Sequence, residues 1–236
     1  MSPTGSDPPG GAPPSGIRTI PAPPVTATRL VLVRHGEALC NVQGVVGGPS
    51  GCTGLSAVGV AEAEALRDRL VDTGELADVT AVYASVLPRA LETAAIVAPG
   101  LGGRTAVADC GLCELHPGEA DGMTWAAFVD RYGGPDWDRD PDAVLAPGGE
   151  SWNGFVRRVS AAITETAVRH GGERVAIFCH GGVVEATIEA FLPVAAGRGR
   201  LKLRTAHTSL TEWERGPEGW LLLRYNDAAH LARRAR

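Results

Sequence analysis

The stretch that decides the fold is RLVLVRHGE, residues 29–37. Its apolar run LVLV favours β structure and stops abruptly at an arginine, a histidine, a glycine and a glutamate. A short apolar run with such a break predicts a buried strand. Polar groups at the carboxyl end of a strand occupy the place where open α/β sheets bind their ligands. Arg34 and His35 are therefore the first candidate functional residues.

The same pattern recurs twice further along the chain. Residues 79–84 are predicted to form a second strand, and Arg89 follows in the first turn of a helix that Pro88 is suited to begin. Residues 174–179 are predicted to form a third strand, which runs directly into His180. Because the carboxyl ends of parallel strands lie at one edge of a sheet, we expect these polar side chains to converge.

Helical segments separate the predicted strands. Ser56 and Ser151 are suited to cap amphipathic helices, a helix is expected after His180, and a shorter one is expected at residues 124–132. Strands that alternate with helices predict an α/β fold with three layers, α/β/α, around a mainly parallel sheet. Further strands are expected at residues 105–108 and, as a hairpin, at 208–214 and 220–226.

Composition narrows the class of protein. A length of 236 residues and an apolar content of 44% suit a globular chain with a substantial core. The net charge of −5 argues against a nucleic-acid-binding surface. No run approaches the roughly 18 apolar residues of a membrane span. A signal-peptide pattern and a secreted disulfide framework are also lacking, so we expect a cytoplasmic protein.

Two parts of the chain differ in composition from the rest. Residues 1–27 are rich in proline, glycine, serine and threonine, and we expect them to form a disordered tail. Residues 28–236 are expected to form a single domain. Within this domain, residues 109–150 are irregular, and long irregular segments are usually functional or mobile. We interpret residues 109–150 as a substrate-facing insertion that sets specificity together with the glycine-rich loop 41–54.

Two arginines and two histidines around one cleft are suited to a phosphoryl group. A guanidinium group pairs bidentately with phosphate oxygens. An imidazole attacks phosphorus only when neutral, and neighbouring guanidinium groups disfavour the imidazolium form. Fixed cations also stabilise the charge that spreads over the equatorial oxygens in the transition state. The sequence therefore predicts phosphoryl transfer that needs no metal.

These residues belong to a larger set of motifs that resembles the histidine phosphatase superfamily, in its phosphoglycerate-mutase-like branch. The resemblance covers roughly residues 29–213 and implies a phosphoglycerate-mutase-like fold. It also implies a phosphatase that acts on a small phosphorylated metabolite through a phosphohistidine intermediate, without a cofactor. The motifs are Arg34-His35-Gly36-Glu37 with Asn41, the segment 85–90, Glu114 with Gly118, Asp121 and Gly122, Gly149-Glu150-Ser151, and His180-Gly181-Gly182.

The resemblance implies a role for each motif residue. His35 matches the nucleophile that becomes phosphohistidine, and Glu114 matches the proton donor. Glu119 and Asp121 are the other carboxylates in that neighbourhood. The residues implied to hold phosphate or substrate are Arg34, Asn41, Arg89, His180 and Gly181.

Two other functions use the same residues. A phosphoglycerate mutase is the first alternative, although the loop after Asn41 lacks the aromatic-rich stretch associated with true mutases and the middle insertion is short. A non-catalytic module that binds a phosphorylated ligand is the second alternative. Such a module is expected to lack the nucleophile or the acid, and both are present here. The sequence leaves the substrate and the oligomeric state open.

Several other features are interpreted as structural. Cys110 and Cys113 have the spacing of a redox motif, but a metal site needs two more ligands and the chain has no second such pair, so we interpret them as ordinary thiols. Glu37 and His207 are interpreted as structural residues. The acidic run at Asp136, Asp138, Asp140 and Asp142 is interpreted as a solvated loop.

Overall fold

The computed structural model describes residues 27–192 and 203–232. The expected tail, residues 1–27, therefore lies outside the described residues apart from its last position. The strands are β1 (Thr28–Arg34), β2 (Val79–Ala84), β3 (Val107–Ala108), β4 (Arg174–Cys179), β5 (Leu210–Gly216) and β6 (Gly219–Asp227). The helices are α1 (Leu39–Gln43), α2 (Ala57–Thr73), α3 (Pro88–Val97), α4 (Trp125–Tyr132), α5 (Trp152–Arg169), α6 (Gly181–Phe191) and α7 (Ala229–Ala232).

The strands form one six-stranded sheet in the order β3-β2-β4-β1-β5-β6. β1, β2 and β3 join β4 in a parallel arrangement, whereas β5 and β6 are antiparallel to their neighbours. At the carboxyl ends, Arg34 of β1 pairs with Cys179 of β4, and Ala84 of β2 pairs with Phe178. The predicted mainly parallel α/β sheet is confirmed, and the residues that follow these three strands start from one edge.

Both faces of the sheet are buried, which explains the unbroken apolar run of β1. Leu30 and Leu32 pack with α5 and α6 on one face, and Val31 and Val33 pack with α2 and α3 on the other. All four side chains are at most 1% exposed. A strand that is covered on both sides needs apolar residues at every position. The three predicted layers are thus present.

The predicted helix starts are confirmed by their capping bonds. The Ser56 hydroxyl accepts a hydrogen bond from the Gly59 amide at 3.0 Å, and the Ser151 hydroxyl accepts one from the Gly154 amide at 3.1 Å. The short helix expected at residues 124–132 is α4, and Pro88 is the first residue of α3. Among the described helices, none has the length and apolar character that crossing a bilayer requires.

Two predicted strand boundaries are wrong. The strand expected at residues 105–108 contains only Val107 and Ala108. The first hairpin strand begins at Leu210 rather than at Thr208, because Thr208 has a φ of 53°. This left-handed conformation interrupts the strand, and the Thr208 amide donates a hydrogen bond back to the Arg34 carbonyl oxygen at 2.9 Å. The turn therefore closes over the end of β1.

Candidate active site

The side chains predicted to converge do so at the carboxyl edge of the sheet. The Arg89 Nε–H group lies 3.1 Å from His35 Nε2 and 3.2 Å from His180 Nδ1, and it donates to both. The centroids of the two imidazole rings are 5.1 Å apart. His35, Arg89 and His180 are all buried, with at most 4% of each residue exposed. The residues that follow three strands thus form one compact cluster of an arginine and two histidines.

His35 is held in one orientation. Its Nδ1 atom lies 2.6 Å from the Gly36 carbonyl oxygen, which can only accept, so Nδ1 carries the proton. His35 Nε2 is then unprotonated and accepts the hydrogen bond from Arg89. Burial, followed by the charges of Arg89 and Arg34, holds the pKa of His35 well below its ordinary value. The ring is therefore neutral and presents a lone pair at Nε2.

His180 is positioned by a residue that the sequence analysis did not assign. The Ser85 hydroxyl lies 2.8 Å from His180 Nε2 on the side of the ring opposite Arg89. Burial, followed by the charge of Arg89, holds the pKa of His180 well below its ordinary value. Ser85 directly follows β2, just as His35 follows β1 and His180 follows β4. The rule that polar residues after buried strands face the site applies to Ser85 as well.

Arg34 adds a second buried cation to the cluster. One of its terminal nitrogens donates a hydrogen bond to the Thr205 carbonyl oxygen. Its buried Nε has no hydrogen-bond partner among the described residues. Burial lowers the pKa of this guanidinium group, which nevertheless stays charged at neutral pH. A Cβ atom at Gly181 would lie 3.5 Å from Arg34 Nε, so Gly181 leaves room beside this free donor.

Glu114 is fixed at the amino end of α6, next to His180. Its Oε2 atom accepts a hydrogen bond from the Gly182 amide at 3.1 Å, and its Oε1 atom accepts one from the Leu115 amide at 3.1 Å. A Cβ atom at Gly182 would collide with the Glu114 carboxylate and displace it from this position. The second glycine of the His180-Gly181-Gly182 motif thus admits the carboxylate predicted to be the proton donor.

The other two candidate carboxylates, Asp121 and Glu119, form hydrogen bonds with other parts of the structure. Asp121 Oδ1 accepts hydrogen bonds from the amides of Gly48 and Gly51, each at 2.9 Å, and Oδ2 accepts one from the Ser50 amide at 2.7 Å. Glu119 is exposed and accepts a hydrogen bond from the Tyr132 hydroxyl at 2.9 Å. Of the three carboxylates, Glu114 is the one that borders the histidine cluster.

Asp121 links the predicted insertion to the glycine-rich loop and, through it, to the site. The loop held by Asp121 contains Gly47, whose carbonyl oxygen accepts a hydrogen bond from an Arg89 terminal nitrogen at 2.8 Å. The Gly122 amide also donates to the Val46 carbonyl oxygen at 2.9 Å. Residues of the insertion therefore help to position one of the two arginines.

The segment after His35 is clamped by α2. A Cβ atom at Gly36 would lie 2.5 Å from the Gly59 carbonyl oxygen, so the two backbones touch only because Gly36 has no side chain. Glu37 accepts a hydrogen bond from the Ser56 hydroxyl at 2.6 Å, in keeping with a structural role. The exposed side chain of Asn41 accepts a hydrogen bond from the Ala38 amide at 3.1 Å and thereby caps α1.

His207 lies at the site, which the sequence analysis did not predict. Its ring centroid is 5.8 Å from that of His35, and its Nδ1 is 3.7 Å from Glu62 Oε2. Its buried Nε2 has no hydrogen-bond partner among the residues that the structure describes. Burial lowers the pKa of His207 to about 4, so the ring is neutral at physiological pH. The turn at Thr208 places His207 here. No short sequence motif identifies this histidine.

Acidification is expected to destabilise the fold through these histidines. The pKa values of His35 and His180 lie well below normal, and burial lowers those of His207 and His230 to about 4. Below about pH 6.5 the unfolded chain takes up protons that the folded chain resists, so the free energy of unfolding should fall as the pH drops toward 4. Thermal unfolding followed across this range measures the effect.

The variant His230→Gln provides the matched comparison, because His230 is buried and hydrogen bonded to Thr208 at 2.8 Å, and it is not one of the two histidines that accept from Arg89. At neutral pH, His230→Gln should have a lower melting temperature than the wild type. Its melting temperature should also fall less on acidification, because one buried histidine has been removed. A wild-type melting temperature that stays constant from pH 7 to about pH 4.5 would contradict this account.

A neutral buried imidazole, two guanidinium groups and an adjacent carboxylate are groups suited to phosphoryl transfer. The chain belongs to the histidine phosphatase superfamily, whose branch 1 family model matches residues 30–228. It is accordingly a phosphatase of the phosphoric monoester hydrolase class, and histidine phosphatases use a phosphohistidine intermediate. The family resemblance inferred from the sequence motifs is confirmed.

Individual relatives agree with this assignment. A metal-independent phosphoserine phosphatase of Arabidopsis thaliana is 30% identical over 210 residues, which are 87% of this chain and 84% of that protein. The solved structure of a mycobacterial glucosyl-3-phosphoglycerate phosphatase with VO3 is 26% identical, has a TM-score of 0.67, and matches over 84% of this chain and 98% of that one. A phosphoglycerate mutase of Bacillus anthracis, 22% identical with a TM-score of 0.70 over 90% of this chain and 98% of that one, confirms the fold.

Proposed function

We propose that this phosphatase hydrolyses a small phosphomonoester by forming a phosphohistidine at Nε2 of His35. The observation that most supports the proposal is the hydrogen bond from Arg89 to that nitrogen, 3.1 Å long, in a buried site. It fixes the position of the unprotonated nitrogen beside a cation that can hold phosphoryl oxygens. Arg34, with its free Nε, is proposed to hold the same group from the other side.

In the first step, His35 Nε2 forms a bond to phosphorus while the bond from phosphorus to the substrate oxygen breaks. Glu114, in its protonated form, donates a proton to the departing oxygen. The negative charge of the bound phosphoryl group favours that proton on Glu114 before transfer. The two guanidinium groups stabilise the charge on the equatorial oxygens as the phosphoryl group moves. The products of this step are a neutral alcohol and a phosphohistidine.

His180 is proposed to donate a hydrogen bond to the phosphoryl group when substrate binds. A neutral imidazole has one donor and one acceptor nitrogen, and a hydroxyl can serve as either. When the Ser85 hydroxyl donates to His180 Nε2, the proton of the ring moves to Nδ1, which faces Arg89 and the pocket. Ser85 thus allows His180 to change from an acceptor toward Arg89 into a donor toward phosphate without becoming charged.

In the second step, the Glu114 carboxylate takes a proton from a water molecule whose oxygen attacks phosphorus. The bond between phosphorus and His35 Nε2 breaks, inorganic phosphate leaves, and the histidine returns to its neutral form. Glu114 recovers the proton that it donated in the first step. The cycle therefore balances with no metal and no cofactor.

Phosphorylated three-carbon acids are the proposed substrate class. Phosphoserine and a glycosylated 3-phosphoglycerate, named for the two similar phosphatases, both contain a phosphate ester on a three-carbon carboxylic acid. Residues 109–150 and the loop 41–54 are proposed to recognise the rest of the substrate, because Asp121 joins them beside Arg89. Asn41 and the Gly181 backbone are proposed to contact the substrate or its phosphate.

A panel of phosphate esters tests the proposed class. Phosphoserine, 3-phosphoglycerate and its glucosyl derivative should release inorganic phosphate with higher kcat/KM than nucleoside monophosphates or hexose phosphates. Arg34→Ala is the accompanying variant, because loss of one phosphate-holding cation should reduce kcat/KM for every ester alike. A clear preference for a nucleotide or a hexose phosphate would overturn the substrate class while leaving the phosphatase assignment intact.

Isomerisation of phosphoglycerate separates the proposed activity from that of a mutase. With 2,3-bisphosphoglycerate present as primer, 3-phosphoglycerate should not be converted appreciably to 2-phosphoglycerate, because the proposed cycle transfers the phosphoryl group to water. Nuclear magnetic resonance of the phosphorus nuclei follows both products and free phosphate in one sample. Isomerisation that outpaces phosphate release would replace the phosphatase proposal with that of a mutase.

A further inference from the structure

Three possible metal ligands meet next to the phosphoryl site without belonging to it. Cys110 Sγ lies 2.8 Å from Cys113 Sγ and 3.5 Å from His116 Nε2. The three ligand atoms all lie within 4.8 Å of one another. The sequence analysis interpreted the two cysteines as ordinary thiols because the chain has no second cysteine pair. His116, three residues after Cys113, supplies the third ligand.

We propose that Cys110, Cys113 and His116 bind a borderline-soft divalent cation of the Zn²⁺ class. Two thiolates and one imidazole form a donor set that zinc prefers, and a water molecule commonly completes such a site. Tetrahedral bonds of about 2.3 Å to sulfur and about 2.0 Å to nitrogen place neighbouring ligand atoms roughly 3.5–3.8 Å apart. The distance between Cys110 and His116 already fits, and the two sulfur atoms need to separate by about 1 Å.

The cluster has the flexibility and access that this adjustment needs. Cys110 is exposed, whereas Cys113 is buried with 2% of its surface accessible. The first sulfur can therefore move outward toward an arriving cation while the second stays anchored. Three backbone carbonyls of the turn, those of Cys110, Gly111 and Cys113, accept hydrogen bonds from Arg158 Nη1 at 3.0–3.2 Å. The backbone is thus held while the Cys110 side chain remains free to rotate.

A carboxylate orients the proposed histidine ligand. Glu150 Oε2 accepts a hydrogen bond from the His116 amide at 2.9 Å and lies 3.7 Å from His116 Nδ1. Arg158 holds this carboxylate through two short hydrogen bonds of 2.8 and 2.6 Å. With Nδ1 directed toward a carboxylate, Nε2 is the nitrogen that faces the sulfur atoms. A histidine ligand whose second nitrogen faces a carboxylate is the arrangement commonly found around protein-bound zinc.

The proposed site is distinct from the catalytic one but joined to it. Cys113 Sγ accepts a hydrogen bond from the Ser85 hydroxyl at 3.4 Å, and Ser85 in turn contacts His180. Glu114 directly follows Cys113 in the chain. A bound cation would therefore fix the turn from which Glu114 projects. The proposal stands independently of the substrate and of the roles given to His35 and Glu114.

Cobalt titration of the full chain tests the proposal. The protein is treated with chelator, kept reduced with a phosphine, and titrated with Co²⁺ in the presence of saturating inorganic phosphate to occupy the histidine cluster. We expect one equivalent of Co²⁺ to give a thiolate-to-cobalt charge-transfer band, which Zn²⁺ then removes by displacement. Among the residues that the structure describes, Cys110, Cys113 and His116 are the one group of three such side chains placed to hold a metal ion, so we expect the band to report this cluster.

Variants assign the band to the three residues. His116→Asn should weaken Co²⁺ binding at least about 100-fold, since even loss of a group that orients a ligand costs 10–100-fold. Glu150→Gln should weaken it about 10–100-fold. Cys40→Ser is the matched control, because Cys40 is also buried and free but lies outside the cluster, and binding should not change. Circular dichroism shows that each variant is folded.

The outcomes that overturn the proposal are equally definite. Absence of the charge-transfer band from the reduced protein would exclude the site, as would a band of equal strength in folded His116→Asn. If mass spectrometry instead finds the Cys110–Cys113 pair as a disulfide that reduction opens without restoring metal binding, the pair is a redox couple and not a metal site.

Discussion

The variant His35→Ala is expected to lose essentially all turnover and to form no phosphoprotein. Removing the imidazole eliminates the only atom at this position that can bond to phosphorus, and loss of an essential nucleophile in a covalent enzyme costs on the order of 10⁶-fold in kcat. His35→Asn and His35→Gln should be equally inactive, because neither amide can carry the phosphoryl group. Single-turnover assays with a ³²P-labelled ester, quenched in base to preserve phosphohistidine, measure both the rate of ester cleavage and the amount of phosphoprotein.

The variant His180→Ala distinguishes the nucleophile from a residue that holds phosphate. His180 shares the Arg89 Nε–H hydrogen bond with His35, so its removal leaves the nucleophile in place. This variant should phosphorylate slowly but should still carry the label on His35. A His35→Ala protein that still carries the label, together with a His180→Ala protein that does not, would show that His180 and not His35 is the nucleophile.

The parts of the fold that follow from local pattern were predictable from the sequence. The apolar run of β1 reads as a buried strand because both of its faces are covered. Serine caps mark the starts of α2 and α5 because the first amides of a helix need acceptors. The convergence of His35, Arg89 and His180 follows because parallel strands end at one edge.

The parts of the site that depend on contacts between distant segments were not predictable in this way. His207 reaches His35 because the chain turns at Thr208, which no spacing rule reveals. The hydrogen bonds between Asp121 and the loop amides depend on the packing of two irregular segments, 109–150 and 41–54, against each other. The choice of Glu114 over Glu119 depends on the same packing. In a segment with no periodic pattern, residue type alone does not distinguish between several carboxylates that could be the acid.

Two glycines were recognisable in the sequence, but their contacts were not. Gly36 and Gly182 stand out in the sequence as parts of short motifs, but their physical roles appear only in three dimensions. Gly36 allows α2 to pack against the loop after His35, and Gly182 leaves space for the carboxylate of Glu114. Replacing either one with alanine introduces a methyl group where backbone or a carboxylate already lies. Both motifs therefore encode close approach as well as chemistry.

The variant Glu114→Gln is expected to slow hydrolysis of an alkyl phosphate about 10²–10⁴-fold, the usual contribution of general acid–base catalysis. Glutamine keeps the shape of the side chain, and its carbonyl oxygen can still accept the Gly182 amide hydrogen bond seen at 3.1 Å. It has no acidic proton for the leaving oxygen and cannot accept a proton from water. Substrate binding should therefore change little while both chemical steps become slower.

The dependence on leaving group identifies the step in which Glu114 acts. An activated aryl phosphate departs without much protonation, so its phosphorylation of His35 should slow much less in Glu114→Gln than that of an alkyl phosphate. Because hydrolysis of the intermediate is also proposed to use Glu114, the variant should accumulate phosphohistidine with the aryl substrate. Glu119→Gln is the matched control, since Glu119 is exposed and bonded to Tyr132, and its rates should stay near wild type. Equal slowing of phosphorylation for both leaving groups in single-turnover assays would show that Glu114 is not the acid, and Glu119 and Asp121 would then be tested in its place.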